Sequence, residues 1–458
     1  MAWIHNNLFL PLLEPERHKG LGGRLRSLRR FEAASADQQK AWQAESVHRL
    51  LDHAYRTTPY YRTLFDQQDV HPSDWKQGVP VPVPVLTRDL VRSHEDDLRS
   101  RRYGADELRA AATGGTTSTP VRLWRDIEAL RKKTALQYQL NRWSGFDQGD
   151  SILMIWGADR DLELNPSWKW RLYENWLMRR IPAAAGEVND SIFQRFLDRL
   201  NEHKPKVLYG YGLTLARFAD FVRTTSTNWH RPSIVIITAE AITQSERLCI
   251  EETFGCEATE QYGSRDVGMI ASECDQHSGL HFHPAGCLVE FAYAGMTPDG
   301  PMHHLLITDL LNYGMPLIRY DTGDCVVVEE TPCPCGRWFP KVKSVLGRAM
   351  DNFLLPDGRE VPGITMATRM VDMKSALRHV TQVQFVQKTV DHLLVRYAAE
   401  GSEADIQLEL SRLSDVVKDV LSNHPNLTFT RVPEIVRERS GKMRLCISEV
   451  KRQNIVKN

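Results

Sequence analysis

The chain has 458 residues, of which 42% are hydrophobic and 25% are charged. These values are typical of globular proteins and exclude the collagen-like, intrinsically disordered and small disulfide-stapled classes. The 58 basic residues balance the 58 acidic residues, which argues against the long-range field that drives non-specific binding to nucleic acid or to an anionic membrane.

No part of the sequence predicts a membrane span or a targeting peptide. A spanning helix needs roughly 18 consecutive apolar residues, and the apolar stretch at residues 8–13 is interrupted by Pro11. No basic segment precedes that stretch, so we predict neither a signal peptide nor a transit peptide. We therefore expect a cytoplasmic protein. In that reducing compartment, closely spaced cysteines indicate a metal site rather than disulfides. We expect a monomer or a homodimer.

The first part of the chain is predicted to be helical. Residues 43–55 place four apolar side chains on one helical face, and Pro59 with the two threonines before it ends that helix. The proline-rich residues 79–85 predict an extended connector, because each proline blocks helix continuation. We interpret residues 1–44 as an N-terminal extension.

The middle of the chain alternates short apolar runs with helical stretches. The runs at residues 151–156, 207–210 and 233–238 predict strands, and residues 191–201 predict a helix between two of them. Strands joined by helical crossovers indicate a mostly parallel sheet covered by helices on both faces. We assign residues 45–350 to this large domain.

Residues 351–458 have a different pattern. Two mostly apolar runs, 383–386 and 393–397, predict the strands of a hairpin. An apolar stripe from Ile406 to Val420 predicts an amphipathic helix. A last strand is predicted at residues 427–430, before a polar tail. These elements indicate a small α+β domain.

The segment from Ala112 to Pro120 contains five hydroxyl side chains and two glycines. Glycines allow backbone amides to approach an anion and hydroxyls donate to phosphate oxygens, so this composition suits a polyphosphate clamp. The segment lacks the Gly-Lys-Ser/Thr ending of a Walker loop and the spacing of a dinucleotide-binding fingerprint. A flexible surface connector would have a similar composition.

This loop is the first of six motifs that follow one another along the chain. The others are Thr238-Ala239-Glu240, Gln261-Tyr262-Gly263-Ser264-Arg265-Asp266-Val267-Gly268, Tyr320-Asp321-Thr322-Gly323-Asp324, Leu346-Gly347-Arg348-Ala349-Met350-Asp351 and Arg439-Ser440-Gly441-Lys442. At these separations the six motifs resemble those of the adenylate-forming superfamily, which includes acyl-CoA synthetases, adenylation domains and luciferases.

Within that superfamily the chain is most similar to the phenylacetate-CoA ligase branch and its CapK-like relatives in capsular polysaccharide clusters. The similarity is carried by Tyr262-Gly263-Ser264, by the segment from Thr308 to Tyr320 and by Cys333-Pro334-Cys335-Gly336-Arg337. It covers about residues 45 to 445. It implies an α/β fold with a large N-terminal domain of mostly parallel sheets flanked by helices, and a small mobile C-terminal α+β domain.

The resemblance also implies roles for individual residues. The phosphates of ATP are expected to contact the loop residues Thr113, Gly114, Gly115, Thr116 and Thr117. Adenine is expected between Ala239-Glu240 and the backbone of Gln261-Tyr262-Gly263-Ser264, and the ribose at Asp324 with help from Arg348.

Three further positions follow from the same resemblance. Lys442 would approach the carboxylate and the α-phosphate as a point charge, and Asp351 matches the hinge about which the small domain rotates between the two half-reactions. Asp266 stands where the family commonly has a glutamate that helps to hold Mg²⁺, so we predict that it contacts the metal directly or through water. Ordinary alternatives are a turn-capping role for Asp324 and a solvated tail lysine at Lys442.

A zinc site is predicted from cysteine and histidine spacing. Cys274 and His281 are followed some fifty residues later by Cys333 and Cys335, and three thiolates with one imidazole complete a closed, structural tetrahedron. Competing fourth ligands are His277 and His283.

The acyl pocket is predicted at strand ends that carry aromatic residues. Trp156, Tyr209, Tyr211 and Tyr262 lie where relatives line the carboxylate site, which suits an aryl acid, although aromatic side chains at such positions also serve as core packing.

The expected activity is activation of a carboxylic acid with ATP and Mg²⁺ followed by transfer to coenzyme A, with release of AMP and pyrophosphate. The alternatives are transfer to an amine, a sugar amine or a carrier-protein thiol, or a catalytically impaired homologue that binds nucleotide, which the aspartate at position 266 suggests. The zero net charge and the absence of a basic stripe argue against nucleic-acid binding.

Overall fold

A computed structural model describes residues 16–112, 121–147, 149–156, 179–184, 189–240, 242, 244–297, 300–348, 353–361, 363–373, 377–422, 425–435 and 445–450. The α-helices are α1 (Leu21–Ala33), α2 (Ala36–Thr57), α3 (Pro59–Gln67), α4 (Arg88–Ser93), α5 (Glu95–Leu98), α6 (Ile127–Trp143), α7 (Asp190–His203), α8 (Gly212–Thr225), α9 (Gln244–Phe254), α10 (Gly363–Met373) and α11 (Glu403–Val420). Within these ranges, no helix has the length and apolar character needed to cross a bilayer.

The strands fall into one large sheet, a four-stranded sheet and two small hairpins. They are β1 (Leu108–Ala112), β2 (Arg122–Asp126), β3 (Ile152–Trp156), β4 (Arg180–Ala184), β5 (Val207–Tyr211), β6 (Ile234–Thr238), β7 (Ala258–Ser264), β8 (Gly268–Glu273), β9 (Leu280–Phe282), β10 (Cys287–Thr297), β11 (Gly300–Asp309), β12 (Tyr320–Val328), β13 (Lys341–Arg348), β14 (Phe353–Leu354), β15 (Glu360–Val361), β16 (Val380–Thr389), β17 (His392–Ala399), β18 (Asn426–Arg431) and β19 (Cys446–Ser448).

The large sheet has eleven strands in the order β10-β11-β12-β13-β9-β8-β7-β6-β5-β3-β4. Strands β4, β3, β5, β6 and β7 are parallel, and β3, β5 and β6 confirm the strands predicted for this region. Helix α7 confirms the predicted crossover helix; it is capped by Asn189, whose side chain accepts a hydrogen bond from the Ile192 amide at 3.1 Å. The carboxyl ends of these strands form one edge, which is where parallel α/β sheets bind ligands.

The other half of the large sheet is antiparallel, which corrects the prediction of a mostly parallel arrangement for the sheet as a whole. Strands β8 to β13 pair with their neighbours, and β8 with β7, in antiparallel register. Antiparallel neighbours need no helical crossover between them, and residues 258–348 accordingly contain no helix among the described positions. The strand and helix alternation that predicted the parallel half ends with α9.

The first two helices are packed against the large domain. Leu21 and Leu25 of α1 contact Ala135 and Tyr138 of α6, and the guanidinium of Arg24 binds the carboxylate of Glu128 at 2.7 Å to each oxygen. The described part of the predicted N-terminal extension therefore braces the helix that precedes the parallel strands.

The C-terminal region has a sheet and core of its own. Its hydrophobic core consists of residues from Phe353 onward. The predicted hairpin is the antiparallel pair β16 and β17, and α11 confirms the amphipathic helix. The strand predicted at residues 427–430 is β18, but it is not the last strand, because β19 pairs in parallel with β16. β19 has three residues, too few to show an alternating pattern.

Candidate functional site

The carboxyl edge of the parallel strands carries the Thr238-Ala239-Glu240 motif. Thr238 ends β6 and its hydroxyl donates to the Gln261 carbonyl on β7 at 3.1 Å. Ala239 adopts a left-handed backbone with φ 67°, which costs an L-residue about 1 kcal/mol or more and is typical of functional turns. The turn directs the Glu240 carboxylate to the start of α8, where it accepts a hydrogen bond from the Leu213 amide at 3.1 Å.

On the neighbouring strand β7, Gln261 and Tyr262 are buried. The side-chain amide of Gln261 donates a hydrogen bond to the side-chain oxygen of Asn141 on α6 at 3.1 Å. The hydroxyl of Tyr262 donates to a carboxylate oxygen of Asp324 at 2.6 Å. Burial, reinforced by the charge of Asp324, raises the pKa of Tyr262 well above its ordinary value, so the phenol remains a donor across the physiological pH range.

The segment after Tyr262 turns tightly. A Cβ atom at Gly263 would lie 2.6 Å from the Gly268 carbonyl oxygen, so this position requires glycine. The hydroxyl of Ser264 accepts hydrogen bonds from the amides of Asp266 and Val267 at 3.2 and 3.3 Å. These contacts fix the loop that carries Asp266.

The carboxylate of Asp266, predicted as a magnesium ligand, forms an ion pair. One of its oxygens accepts hydrogen bonds from Arg88 Nη2 at 2.6 Å and from the Tyr320 hydroxyl at 2.7 Å. Arg88 was not predicted as a site residue. No local pattern marks it, because it lies 178 residues before Asp266.

Two more cations, also unpredicted from sequence, hold the backbone of this loop. The Arg125 guanidinium, on β2, donates to the carbonyls of Arg265 and Asp266. The ammonium of Lys133, on α6, lies 2.6 Å from the Val267 carbonyl and 2.5 Å from the Asp309 carboxylate. Burial lowers the pKa of Lys133, and the charge of Asp309 opposes that shift.

Asp324 and Arg348 occupy opposite positions on β12 and β13, so the backbone brings together the two residues predicted to bind the ribose. Trp156 and Tyr211 are the last residues of the adjacent parallel strands β3 and β5, and Tyr209 is buried within β5. Thr113, Gly114, Gly115, Thr116 and Thr117, the hinge residue Asp351 and Lys442 lie outside the described residues.

The predicted zinc ligands converge. The ligand atoms of Cys274, His281, Cys333 and Cys335 all lie within 4.8 Å of one another. The sulfurs of Cys274 and Cys333 are 3.7 Å apart, and Cys335 Sγ lies 3.7 Å from His281 Nε2. Zinc–sulfur bonds of about 2.3 Å in a tetrahedron place two sulfurs about 3.8 Å apart, so the spacing fits a zinc ion.

The protonation of His281 and Cys333 suits a metal, whereas burial and the neighbouring thiols raise the pKa of Cys274 to about 12, so metal binding would release the Cys274 proton. Burial, with the charges of Arg337 and Lys341, lowers the pKa of His281 to about 4, which leaves the imidazole neutral at pH 7. Burial alone would raise the pKa of Cys333, but hydrogen bonds from Ser278 and the neighbouring cysteines lower it to about 7. The competing candidates have other partners: His277 lies 3.2 Å from Glu273, and His283 lies 3.1 Å from Glu32.

The contact between Tyr262 and Asp324 gives a direct test of the prediction that Asp324 binds a ribose. We expect Tyr262→Phe to weaken ATP binding by roughly tenfold, because a hydrogen bond to a charged group contributes about 1.5–3 kcal/mol. Isothermal titration with ATP measures the loss. Tyr61→Phe is the matched control, since among the described residues the buried Tyr61 hydroxyl bonds the backbone at Pro316 and Ile318 and no charged group; it should lower stability without changing ATP affinity. Equal affinity in the wild type and in Tyr262→Phe would contradict the assignment.

Comparison with known proteins identifies relatives of this chain. Residues 354–449 match the CapK C-terminal domain family. The chain is 24% identical over 373 residues to protein CapK of Staphylococcus aureus, which covers 81% of this chain and 80% of the relative. It is 24% identical over 414 residues to the phenylacetate-coenzyme A ligase of Thermus thermophilus, which covers 86% of both chains.

Solved structures show the same fold. A 2-hydroxyisobutyryl-CoA ligase in the postadenylation state superposes with a TM-score of 0.67 at 16% identity over 90% of both chains. An open conformation of that ligase in complex with 2-HIB-AMP and CoA gives 0.59 at 17% identity over 90% of this chain and 92% of the ligase. The chain is thus similar in sequence to CapK and to the phenylacetate-CoA ligases, its residues 354–449 match the CapK C-terminal domain family, and its fold is that of the adenylate-forming CoA ligases.

Proposed function

We propose that this protein activates a small carboxylic acid with ATP to form an acyl-adenylate and pyrophosphate, and then transfers the acyl group to coenzyme A with release of AMP. The observation that carries the proposal is the convergence at one sheet edge of the Glu240 turn, the buried Gln261-Tyr262 pair and the Asp324 carboxylate. Such a proposal agrees with the relatives named phenylacetate-coenzyme A ligase.

The chemistry explains why these residue types are needed. A carboxylate is a poor electrophile, and its transfer to the α-phosphate of ATP gives AMP as a leaving group. The hydroxyl of Tyr262 already orients the Asp324 carboxylate. In the proposed complex, Asp324 accepts hydrogen bonds from the ribose hydroxyls, and Arg348 assists it. Adenine lies between Ala239-Glu240 and the backbone of residues 261–264, and the phosphates contact Thr113 to Thr117.

Lys442 places its positive charge on the carboxylate and α-phosphate oxygens, where charge changes during adenylation. The C-terminal domain then rotates about Asp351. In the proposed rotation Lys442 leaves the reacting carbonyl, and another surface of the same domain takes its place and admits coenzyme A. The aromatic residues Trp156, Tyr209 and Tyr211 make an aryl acid the proposed substrate class, with the acid bound beside Tyr262.

Magnesium accompanies ATP in the proposed reaction and neutralises its phosphates. Direct ligation by Asp266 does not fit the residues present, because the Asp266 side chain is only 2% exposed and is already paired with the guanidinium of Arg88. No step of the proposed reaction is therefore assigned to a metal at Asp266.

Zinc fits the cluster of Cys274, His281, Cys333 and Cys335, and we propose that it binds there. All four tetrahedral positions would be filled by protein, so the ion would be structural. It would connect the end of β8 and strand β9 to the turn before β13, where Gly336 adopts a left-handed backbone with φ 77°.

Acid-dependent exchange of labelled pyrophosphate into ATP tests the adenylation step, and acceptor-dependent AMP release distinguishes coenzyme A from an amine, a sugar amine or a carrier-protein thiol. We expect Asp324→Asn to reduce exchange about 10- to 100-fold, because the ribose hydroxyls lose a charged acceptor. Asp321→Asn, on the same strand, should exchange at close to the wild-type rate. ATP binding without exchange across a broad panel of acids would instead identify a catalytically impaired homologue.

A further inference from the structure

Arg88 is fixed next to the strand that carries Tyr320 and Asp324. The amide of Leu86 donates to the Arg319 carbonyl at 3.0 Å, and the Leu86 carbonyl accepts from the Asp321 amide at 3.0 Å. This backbone bridge adds the segment before α4 to β12. Thr87 then caps α4, its hydroxyl accepting a hydrogen bond from the Leu90 amide at 3.3 Å. The position of Arg88 therefore follows from main-chain contacts as well as from its side chain.

The side chain of Arg88 forms a closed set of contacts with Asp266 and Tyr320. Arg88 Nη2 lies 2.6 Å from Asp266 Oδ2, the Tyr320 hydroxyl lies 2.7 Å from the same oxygen, and Arg88 Nε lies 3.2 Å from the Tyr320 hydroxyl. The two bonds to the carboxylate have the short lengths of charge-assisted hydrogen bonds. Asp266 Oδ2 is therefore engaged by two donors at once.

The two partners differ in their access to solvent. The Asp266 side chain is 2% exposed, whereas that of Arg88 is 24% exposed. What the pair offers to an approaching ligand is thus the guanidinium and not the carboxylate. A metal ion that displaced Arg88 from Asp266 would break this ion pair and would have to offset the free energy lost with it.

The surroundings add to the positive charge. Arg88, Arg125 and Lys133 contact the loop of residues 265–267, and the carboxylates that they face are Asp266 and Asp309. In these contacts three cations meet two carboxylates, and the nearby Asp324 carboxylate is bonded by the Tyr262 hydroxyl. A surplus of positive charge in the contacts around Asp266 disfavours a divalent cation and favours a polyphosphate.

We propose that Arg88, and not a divalent metal ion, neutralises Asp266, and that Arg88 presents the positive charge of this pair to the triphosphate of the bound nucleotide. Arg88 thereby positions Asp266 and adds a phosphate contact from a segment distant in the sequence. The second part rests on the proposed function, since it takes ATP as the ligand, whereas the neutralisation of Asp266 does not.

Binding of Mn²⁺ to the full-length, zinc-loaded protein tests the first part, with electron paramagnetic resonance as the readout and no nucleotide present. We expect the wild type and Asp266→Asn to give the same binding isotherm, because the wild-type carboxylate is not available. Arg88→Met should gain a bound Mn²⁺ ion that the double variant Arg88→Met/Asp266→Asn loses. Arg24→Met is the matched control, since Arg24 is also 24% exposed and pairs with a carboxylate; it should gain no such ion.

A wild-type Mn²⁺ ion that disappears in Asp266→Asn would overturn the proposal. If Arg88→Met does not fold because the Asp266 carboxylate is left unpaired, the comparison of the wild type with Asp266→Asn still tests whether Asp266 binds the metal ion.

The phosphate contact of Arg88 is tested by ATP binding. ATP affinity measured without divalent metal should fall about tenfold or more in Arg88→Met/Asp266→Asn relative to Asp266→Asn. Unchanged affinity contradicts the phosphate contact. A wild type that binds no ATP would instead refute the proposed function and leave the Mn²⁺ result standing.

Discussion

Replacing Lys442 with alanine is expected to reduce acyl-adenylate formation by about 10²- to 10³-fold, the usual effect of deleting a group that stabilises charge in a transition state. Formation of the thioester from supplied acyl-adenylate should be much less affected, because that step no longer needs the cation beside the α-phosphate. Single-turnover measurements of the two half-reactions separate these effects. Lys442 belongs to the segment that matches the CapK C-terminal domain family.

Lys418→Ala provides the matched control for that experiment. Lys418 is an exposed lysine in the last turn of α11, within the same C-terminal region, so its removal changes the domain's charge equally without touching the reacting groups. Both half-reactions should proceed at wild-type rates in this variant. An equal loss of both half-reactions in Lys442→Ala would show that the lysine is needed for the fold or for both steps, contrary to the assigned role.

Replacing Cys333 with serine is expected to remove most of the bound zinc and to lower the midpoint of thermal unfolding. Mutating a residue that only hydrogen-bonds to a metal ligand lowers metal affinity about 10- to 100-fold. Removing a ligand itself should therefore lower the affinity at least that much. Because binding of a structural metal stabilises the folded state, the zinc that is lost appears as lost stability. Metal content by mass spectrometry and a thermal melt measure the two effects.

The rate of adenylation per folded molecule should change far less than the stability in Cys333→Ser, because the cluster leaves no open position for a substrate. Cys249→Ser is the control: Cys249 is a partly exposed cysteine of α9 outside the cluster, and its replacement should retain zinc. Unchanged zinc stoichiometry in Cys333→Ser would rule out the metal site.

The parallel half of the fold was accessible from sequence because its signals are local. The apolar runs that form β3, β5 and β6 are each five residues long, and helical patterns lie between them. Such short patterns can be recognised without knowing which distant residues they contact. The antiparallel half was not predicted, because its strands carry mixed side chains: only the first and last residues of β10, for example, are fully buried. Pairing in that half is decided by neighbours distant in the chain, such as β13 against β9.

The same division holds for the site. The order and resemblance of the motifs predicted Asp324 and Tyr262, and cysteine and histidine spacing predicted the zinc ligands, because those residues occur in short, distinctive segments. Arg88, Arg125 and Lys133 gave no such signal, although each contacts the loop around Asp266. A lone basic residue in a helix or strand is indistinguishable in sequence from a solvated surface residue, and only its surroundings show what it pairs with.

By itself the sequence determined the residue types available for nucleotide chemistry, the order of the motifs and the cysteine and histidine set for a metal, because these depend on side-chain chemistry at fixed local spacing. The tertiary structure alone decided which charges face one another. Electrostatic energy depends on distance and burial, and folding brings Arg88 to within 2.6 Å of a carboxylate that is 178 residues away along the chain. That contact decides whether Asp266 binds a metal ion or a guanidinium.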